Sequence, residues 1–413
     1  MTRMIPLVTP LLLAGMAWPA CAEEAELQQD WQLSGFYSVA LTDQRGPLTF
    51  YPTLSQFGAD YGSTPSYKPD STLGMQLDGS LGSQLSVSSQ LVVRDQADYR
   101  KGDAVERLFV RYQPDDRLTL RAGRLAMDTF MLSDYRRVAY AYPWVRPPQD
   151  FYGYLSLDHF DGVDVSYRWQ AAGEWQAKLN VGPSRAVLPV ATPDYRLRTS
   201  EQWGGVLQWQ HDALTLRAGY TTFLLASQVD LPPVLATGLQ SLAPFWPEAG
   251  NVHHKLQLSG KRLTYKTLGG AYDRGDLWVR GELATLRNQS LWFPGVDSYY
   301  LAAGWRQGDW QPYASYGQAK AARPPLTLTE PAWLPGASPL ARGVEQAVNA
   351  IAVNQRTVSL GLRWEMQTGM ALKLQWDQLR TRQGGNGLLG GGNATEPRPV
   401  RKHIVSLAWQ GVF

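Results

Sequence analysis

The chain has 413 residues, 44% of them hydrophobic and 18% charged, with 39 Lys and Arg against 36 Asp and Glu for a formal net charge of +3. A mean hydropathy of −0.30, with no long uninterrupted apolar run after the N-terminal segment, excludes a bundle of membrane-spanning helices. The near-neutral balance gives no sign of a nucleic-acid partner, so any ionic preference must come from where the charges sit.

At the N-terminus Arg3 precedes an apolar run over 5–20, broken by Pro6 and Pro10 and closed by Ala20-Cys21-Ala22 before Glu23 and Glu24. This predicts a cleaved signal peptide over 1–22, the general secretory export route and a mature chain over 23–413. A lipoprotein reading of Cys21 is disfavoured by the bulky Trp18. The sole cysteine leaves with the leader, so disulfides and cysteine metal sites are excluded from the mature chain.

From there the pattern is one of alternating residues. Strands are predicted over 31–44, then, after a Pro/Tyr/Gly-rich loop to 70, over 72–81 and 85–95, with a tight turn between the last two. Strands over 105–113 and 118–125 flank a turn at 114–116, and a connection over 126–160 precedes the next strand at 163–169. Further tight turns fall at 171–173, 211–213, 273–276, 307–309 and 367–369, and long connections at 187–200, 227–260, 288–297, 321–349 and 384–399. Alternating short and long connections predict an all-β fold, a transmembrane antiparallel β-barrel of about sixteen strands with a lumen wide enough for water.

The faces separate sharply. Leu85, Val87, Leu91 and Val93 oppose Ser86, Ser88, Gln90 and Arg94; Leu108 and Val110 oppose Arg107, Phe109 and Arg111; Leu118, Leu120 and Ala122 oppose Thr119 and Arg121. Likewise Lys178, Arg217, Arg363 and Lys373 stand opposite aliphatic rows. A charge facing lipid at mid-bilayer costs about 2–4 kcal/mol, so the charged face must be wet. The chain closes with Val405, Leu407 and Trp409 on one face, Lys402, Ser406 and Gln410 on the other, and a terminal Phe413. Such an end is the assembly signal read by the barrel assembly machinery of Gram-negative bacteria, although Gly411 stands where an aromatic is more usual. The aromatic set, 16 Trp and 20 Tyr against 11 Phe, suits girdles at two water–lipid interfaces. A soluble β-sandwich would also alternate, but gives no reason for the loop asymmetry or the terminal Phe.

These features together, with Leu120-Arg121-Ala122-Gly123-Arg124, Leu360-Gly361-Leu362-Arg363-Trp364, Leu372-Lys373-Leu374-Gln375-Trp376-Asp377 and Phe413, give a chain that resembles the Gram-negative outer-membrane porin superfamily over its mature length. The resemblance implies a long third loop, here 126–160, folded inward as a constriction. It also implies a homotrimer in lipid and lipopolysaccharide, with 31–44 and 405–413 at the contacts and 45–70 reaching a neighbour. The acidic Pro-Glu-Phe-Gly-Gly-Asp segment of enterobacterial general porins is missing from that loop, which removes the usual ground for cation preference.

Within the loop Arg136, Val138, Tyr140, Tyr142, Trp144 and Arg146 share one face of an extended stretch. In one reading the rings pack on the wall and hold the loop down. In the other, Tyr140, Tyr142 and Trp144 line an eyelet beside Arg136, Arg137 and Arg146, supported from the wall by Arg121 and Arg124, unless Asp128, Asp134 or Asp150 neutralise the arginines. The lumen wall set is Arg94, Arg107, Arg111, Lys178, Arg217, Arg280, Arg363 and Lys373, opposed chiefly by Asp164, Glu282 and Asp377. This surplus predicts a mild anion preference and small anionic or polar solutes. None of the five histidines stands on a wall beside an obvious Ser and Asp, and no P-loop, dinucleotide or HExxH pattern occurs, so no catalytic residue, metal or cofactor is expected. The competing reading is a receptor, adhesin or structural barrel without an open pore, using the loops 227–260 and 321–349.

Overall fold

The computed structural model describes residues 30–413 except 47, 63, 155–156, 188–195, 294, 350–351, 383–384, 386 and 391–398. The leader expected over 1–22 lies outside the described residues. Sixteen long strands form the wall. The first eight are β1 (Trp31–Asp43), β2 (Thr72–Ser80), β3 (Leu85–Arg94), β4 (Val105–Tyr112), β5 (Leu118–Ala126), β6 (His159–Gln170), β7 (Glu174–Val181) and β8 (Arg196–His211). The second eight are β9 (Leu214–Leu225), β10 (Arg262–Arg274), β11 (Leu277–Asn288), β12 (Val296–Trp305), β13 (Trp310–Ala321), β14 (Asn354–Gln367), β15 (Met370–Thr381) and β16 (Arg401–Val412). Each pairs antiparallel with its sequence neighbours. The circle closes because β1 pairs with β2 from Trp31↔Gly79 to Ser38↔Thr72, and with β16 from Phe36↔Val412 to Asp43↔Val405.

Tight turns join β2 to β3, β4 to β5 and every such pair to β14–β15, all at the end that also carries Asp30 and Phe413. In two of them Ala172 and Asp212 take φ of +48°, the left-handed conformation that lets a short hairpin follow the strand twist. Long connections occupy the other end.

The distribution of polarity is inside out. Leu91, Leu108, Leu179, Leu207, Leu268, Leu283, Leu301, Leu360, Leu374 and Leu407 are exposed around the circumference, while Ser88, Gln90, Asn180, Thr267, Ser315, Ser359 and Ser406 are buried. Water does not favour a continuous apolar belt of this extent; lipid does. Near the short turns the belt is edged by stacked rings, Trp169 on Trp175 (5.9 Å, 9°) and Trp310 on Trp364 (5.2 Å, 6°). Trp203 with Tyr220 and Tyr299 with Tyr316 edge it toward the long loops.

At the seam, the Phe413 amide donates to the Gly35 carbonyl at 3.0 Å and the Gly35 amide donates to the Phe413 oxygen at 2.8 Å. A Cβ at Gly35 would stand 2.3 Å from the Phe413 ring, so glycine there is what lets the terminal aromatic lie flat on β1. Gly411, unusual by sequence, has a similar reason: a Cβ would meet the Tyr37 ring at 2.8 Å.

Two features of the long-loop end were not read from the sequence. The 45–70 segment is tied to its own barrel: the Leu54 amide donates to Gly153 O (2.9 Å), Ala97 N to Ser55 O (3.0 Å), and Phe50 is fully buried against Leu379, Leu388, Leu389 and Ile404. The loops over 227–260 and 321–349 contain helices that alternation did not predict. Besides the short α1 (Gln149–Tyr152), these are α2 (Pro233–Leu242), α3 (Pro247–Lys255) and α4 (Ala337–Asn349). In α4 the buried residues Leu340, Ala341, Val344 and Val348 follow helical spacing, a signal present in the sequence but masked by the surrounding prolines.

Candidate functional site: the lumen and its inner loop

The connection between β5 and β6 runs inside the barrel, where inward-facing wall side chains hold it. Lys373 on β15 donates to three of its carbonyls, Ala139 (2.8 Å), Tyr142 and Trp144 (3.0 Å). The Val145 amide donates to Gln375 Oε1 (2.8 Å), Gln149 Nε2 to Thr357 Oγ1 (3.2 Å), and Asp150 Oδ1 accepts from Gln355 Nε2 (2.8 Å). Farther along the wall, the Met131 amide donates to Glu282 (2.9 Å), which also accepts from the hydroxyls of Tyr152 and Tyr300. These bonds satisfy buried backbone groups that would otherwise cost about 1–3 kcal/mol each.

The loop's aromatic stripe turns to the wall. Trp144 is 1% exposed and meets Trp278 edge-on at 5.8 Å and Tyr300 at 6.2 Å. Tyr142 is buried beside it, with Lys373 Nζ 5.3 Å from its ring. Tyr140 remains partly exposed, donating its hydroxyl to Glu365 under the Arg363 guanidinium. The rings therefore fasten the loop, as in the first of the two readings above.

The loop arginines do not stand free in the lumen. Arg136 pairs with Asp158, and Arg137 with Asp158 and with Glu106 (3.1 Å); Arg94 reaches the same Asp158 at 3.0 Å. Burial pushes the Arg136 pKa down to about 10 and Arg137 to about 9, the latter helped by repulsion from Arg94. Arg146 lies between Asp70 and Asp377, adds a bond to Ser406, and sits 5.5 Å from the Phe50 ring. Burial opposes its charge, but Asp70 and Asp377 outweigh that and raise its pKa above the ordinary value. The acids considered from sequence are engaged elsewhere. Asp128 pairs with Lys178 (2.7 Å) and Arg217, Asp134 offers its carbonyl to Arg107, and Asp150 has the Gln355 bond already described. Asp70, Glu106 and Asp158 were not recognised from sequence, since nothing in strand parity marks a carboxylate that reaches the lumen from a loop or strand end.

On the wall, Arg121 pairs with Asp164 (2.6 Å), Arg124 with Asp161 (2.8 Å), and Arg363 with Glu365 (2.6 Å). Arg111 lies 5.8 Å from the Phe109 ring, and Arg280 donates to Tyr135 Oη (3.3 Å); among the described residues neither has a carboxylate partner within 4.0 Å. The two sides of the lumen differ in hydration. Beneath the loop Lys373, Asp377, Ser406 and Gln410 are 0% exposed. Across from it, on β4–β6, Arg107, Arg111, Thr119 and Ser166 are half-buried and Arg168 is exposed, as is Asp134 on the facing edge of the loop. Half-buried lumen residues also occur on β8, β9 and β11, at Gln208, Arg217 and Arg280.

Neither a protein-family model nor a curated protein sequence matches the chain. Solved structures do. The chain is similar to the anion-selective porin from Comamonas acidovorans, with 14% identity, a TM-score of 0.53, and 94% of this chain and 100% of that one covered. It is also similar to the outer-membrane channel DcaP of Acinetobacter baumannii (9%, 0.52, 95% and 99%) and to Salmonella typhi OmpF in complex with daunomycin (11%, 0.51, 93% and 97%). The fold is thus the closed sixteen-stranded antiparallel barrel of the bacterial outer-membrane porins.

Proposed function

We propose that the protein is an outer-membrane porin of a Gram-negative bacterium, a water-filled channel for passive diffusion of small hydrophilic solutes with a mild preference for anions. In this reading residues 1–22 direct export, Phe413 and its strand recruit the assembly machinery, and the mature barrel assembles as a trimer in lipid and lipopolysaccharide. The observation that carries it is the one-sided lumen. The inner loop covers β14–β16, while on β4–β6 Arg107 and Arg111 are half-buried and Arg168 is exposed, none with a carboxylate within 4.0 Å among the described residues. A guanidinium about 4 Å from a permeating anion contributes about 4 kcal/mol at an effective dielectric of 20, before desolvation is subtracted. The similarity to an anion-selective porin supports the same direction.

Purified folded protein in a planar bilayer should give stepwise conductance and, in a salt gradient, a reversal potential on the anion side. Replacing Arg107 and Arg111 with Ser should move that potential toward cations without loss of folding. An unmoved potential would remove the wall arginines as the determinant.

The second reading, a receptor or structural barrel without an open pore, is favoured by the long-loop helices. Residues of α2, α3 and α4 join the barrel's apolar cluster, leaving Val234, Phe245 and Trp333 exposed above it at 81%, 61% and 69%. Silence at every voltage from folded protein would select it.

A further inference from the structure

At the long-loop end of the outer wall, three arginines stand side by side. Arg356 on β14 lies directly opposite Arg380 on β15, and Arg380 directly opposite Arg401 on β16. Strand parity puts all three outside. Their chain neighbours Gln355, Thr357, Leu379, Thr381 and Lys402 are buried toward the interior, whereas Arg401 is exposed and Arg356 and Arg380 are half-buried. With strands about 4.8 Å apart, the row spans roughly 10 Å. Like charges directly opposite one another on a sheet are destabilising, so the row is costly by itself. Gln378 Oε1 accepts from Arg380 (2.6 Å) and Arg401 (3.2 Å), but a neutral amide cancels no charge. Among the described residues none of the three has a carboxylate within 4.0 Å, and Asp43 on the adjacent β1 is held by Arg45 at 3.0 Å.

The level of the row points to what meets it. One outward position nearer the short turns, Tyr316, Val358, Gln378 and His403 stand opposite one another on β13 to β16. Here His403 stacks on Trp376 (5.7 Å, 25°) and Tyr316 packs with Tyr299 (6.1 Å), and below these rings Leu360, Leu374 and Leu407 are exposed. Rings of this kind mark the boundary between acyl chains and headgroups. The arginines therefore stand at headgroup level in the long-loop leaflet, the outer one for a bacterial barrel. By contrast, Arg287 on β11 holds Asp297 at 2.7 Å, and Arg262 on β10 approaches Glu201 at 3.7 Å.

We propose that the row of Arg356, Arg380 and Arg401 binds the phosphate groups of an outer-leaflet lipid, the multiply phosphorylated anchor of lipopolysaccharide, whose acyl chains lie on the belt below. Guanidinium groups take phosphate oxygens in bidentate pairs, and clustered basic residues at a membrane surface bind anionic headgroups. A zwitterionic headgroup would bring an ammonium against the arginines, and a single phosphodiester would leave most of their charge unmatched. Two phosphates borne on one lipid match the row best. The inference rests on the outer-membrane reading above, to which it adds a specific lipid contact, and it needs no open pore.

Native mass spectrometry of the folded full-length protein in mild detergent, with diphosphoryl lipid A, monophosphoryl lipid A or phosphatidylethanolamine added, tests it. Diphosphoryl lipid A should be retained, the monophosphoryl form roughly tenfold more weakly, and phosphatidylethanolamine not specifically. Replacing Arg356, Arg380 and Arg401 together with Gln should weaken retention roughly 100-fold, whereas Arg262→Gln with Arg287→Gln should leave it unchanged. The triple change relieves like-charge repulsion and should fold; should it not, Arg380→Gln alone should weaken retention roughly tenfold. Equal retention of the three lipids, or retention unmoved in a folded variant, would overturn the proposal. Complete displacement of the lipid by millimolar inorganic phosphate would assign the row to a soluble anion instead. Loss of subunit association in the triple variant, with lipid retention unchanged, would assign it to a contact between copies. Lipid retention without bilayer conductance would keep this site and reject the channel. Conductance without retention would do the reverse.

Discussion

Replacing Arg146 with Met should release the inner loop while leaving the barrel closed. Arg146 is 5% exposed and bridges two elements distant in sequence: Asp70, just before β2, and Asp377 on β15. Removing one partner of a buried ion pair costs about 3–5 kcal/mol, because the remaining charge is stranded. Here two carboxylates would be stranded together, so the upper part of that range applies. If the cost falls on local detachment of the loop, about 4–5 kcal/mol at 1.4 kcal/mol per decade shifts the opening equilibrium by roughly 700- to 4,000-fold. Hydrogen exchange should read this as faster exchange over 139–153, with β4–β6 amides unchanged. Adding Asp70→Asn and Asp377→Asn to the Met variant should restore most of the protection, because well-matched neutral groups often replace a buried ionic cluster at little cost. Unchanged exchange in the single variant, or no recovery in the triple, would refute the view that this ion triad fastens the loop.

Two further outcomes follow from the same anchoring. Burial raises the Asp150 carboxyl to about 6 from an ordinary 3.8. The folded state then holds a proton that the unfolded chain releases between about pH 4 and 6, so stability falls as pH rises through that window and is level above it. Asp150→Asn should abolish that slope and gain up to about 3 kcal/mol at pH 8 relative to pH 4, measured by urea unfolding of both proteins. Lys373→Met removes the donor shared by three loop carbonyls, and should increase current noise in bilayers without moving the reversal potential. A quiet trace with a shifted potential would place Lys373 on the permeation path instead.

The wall was legible because alternation has only two phases, and lipid penalises the wrong one. Val405, Leu407 and Trp409 had to share a face, and they are exposed while Ser406, Ala408 and Gln410 are 0% exposed. The interior was legible only in part. Parity placed Arg121, Lys178, Arg217, Arg363 and Lys373 inside, but not their partners. Which carboxylate meets which guanidinium depends on the path of a loop some thirty residues long, and that path has no period. Thus Arg146 finds Asp70, 76 positions earlier, and Asp377, 231 positions later. The helices of the long connections were hidden for a related reason: their apolar positions pack on the barrel interior and on each other, so a strand-period reading of those segments returns only loop.

The fate of the loop arginines also bears on where selectivity can reside. A guanidinium between two carboxylates at hydrogen-bond distance presents little net field to a passing ion, and its desolvation has already been met by fixed partners. Arg137 and Arg146 are in that condition, Arg136 shares the single Asp158 with Arg137 and Arg94, and Arg121 and Arg124 each hold one carboxylate. What an ion in the hydrated strip meets is the remainder: Arg107, whose contact is a backbone carbonyl that cancels no charge, and Arg111, stacked over a ring. Among the described residues Arg107 and Arg111, like Arg168 and Arg280, have no carboxylate within 4.0 Å, whereas Arg121, Arg124, Arg136, Arg137 and Arg146, which sequence reasoning ranked as the constriction, are all ion-paired. Under the proposed channel reading, a fixed framework of ion pairs would let a small surplus of charge act at close range.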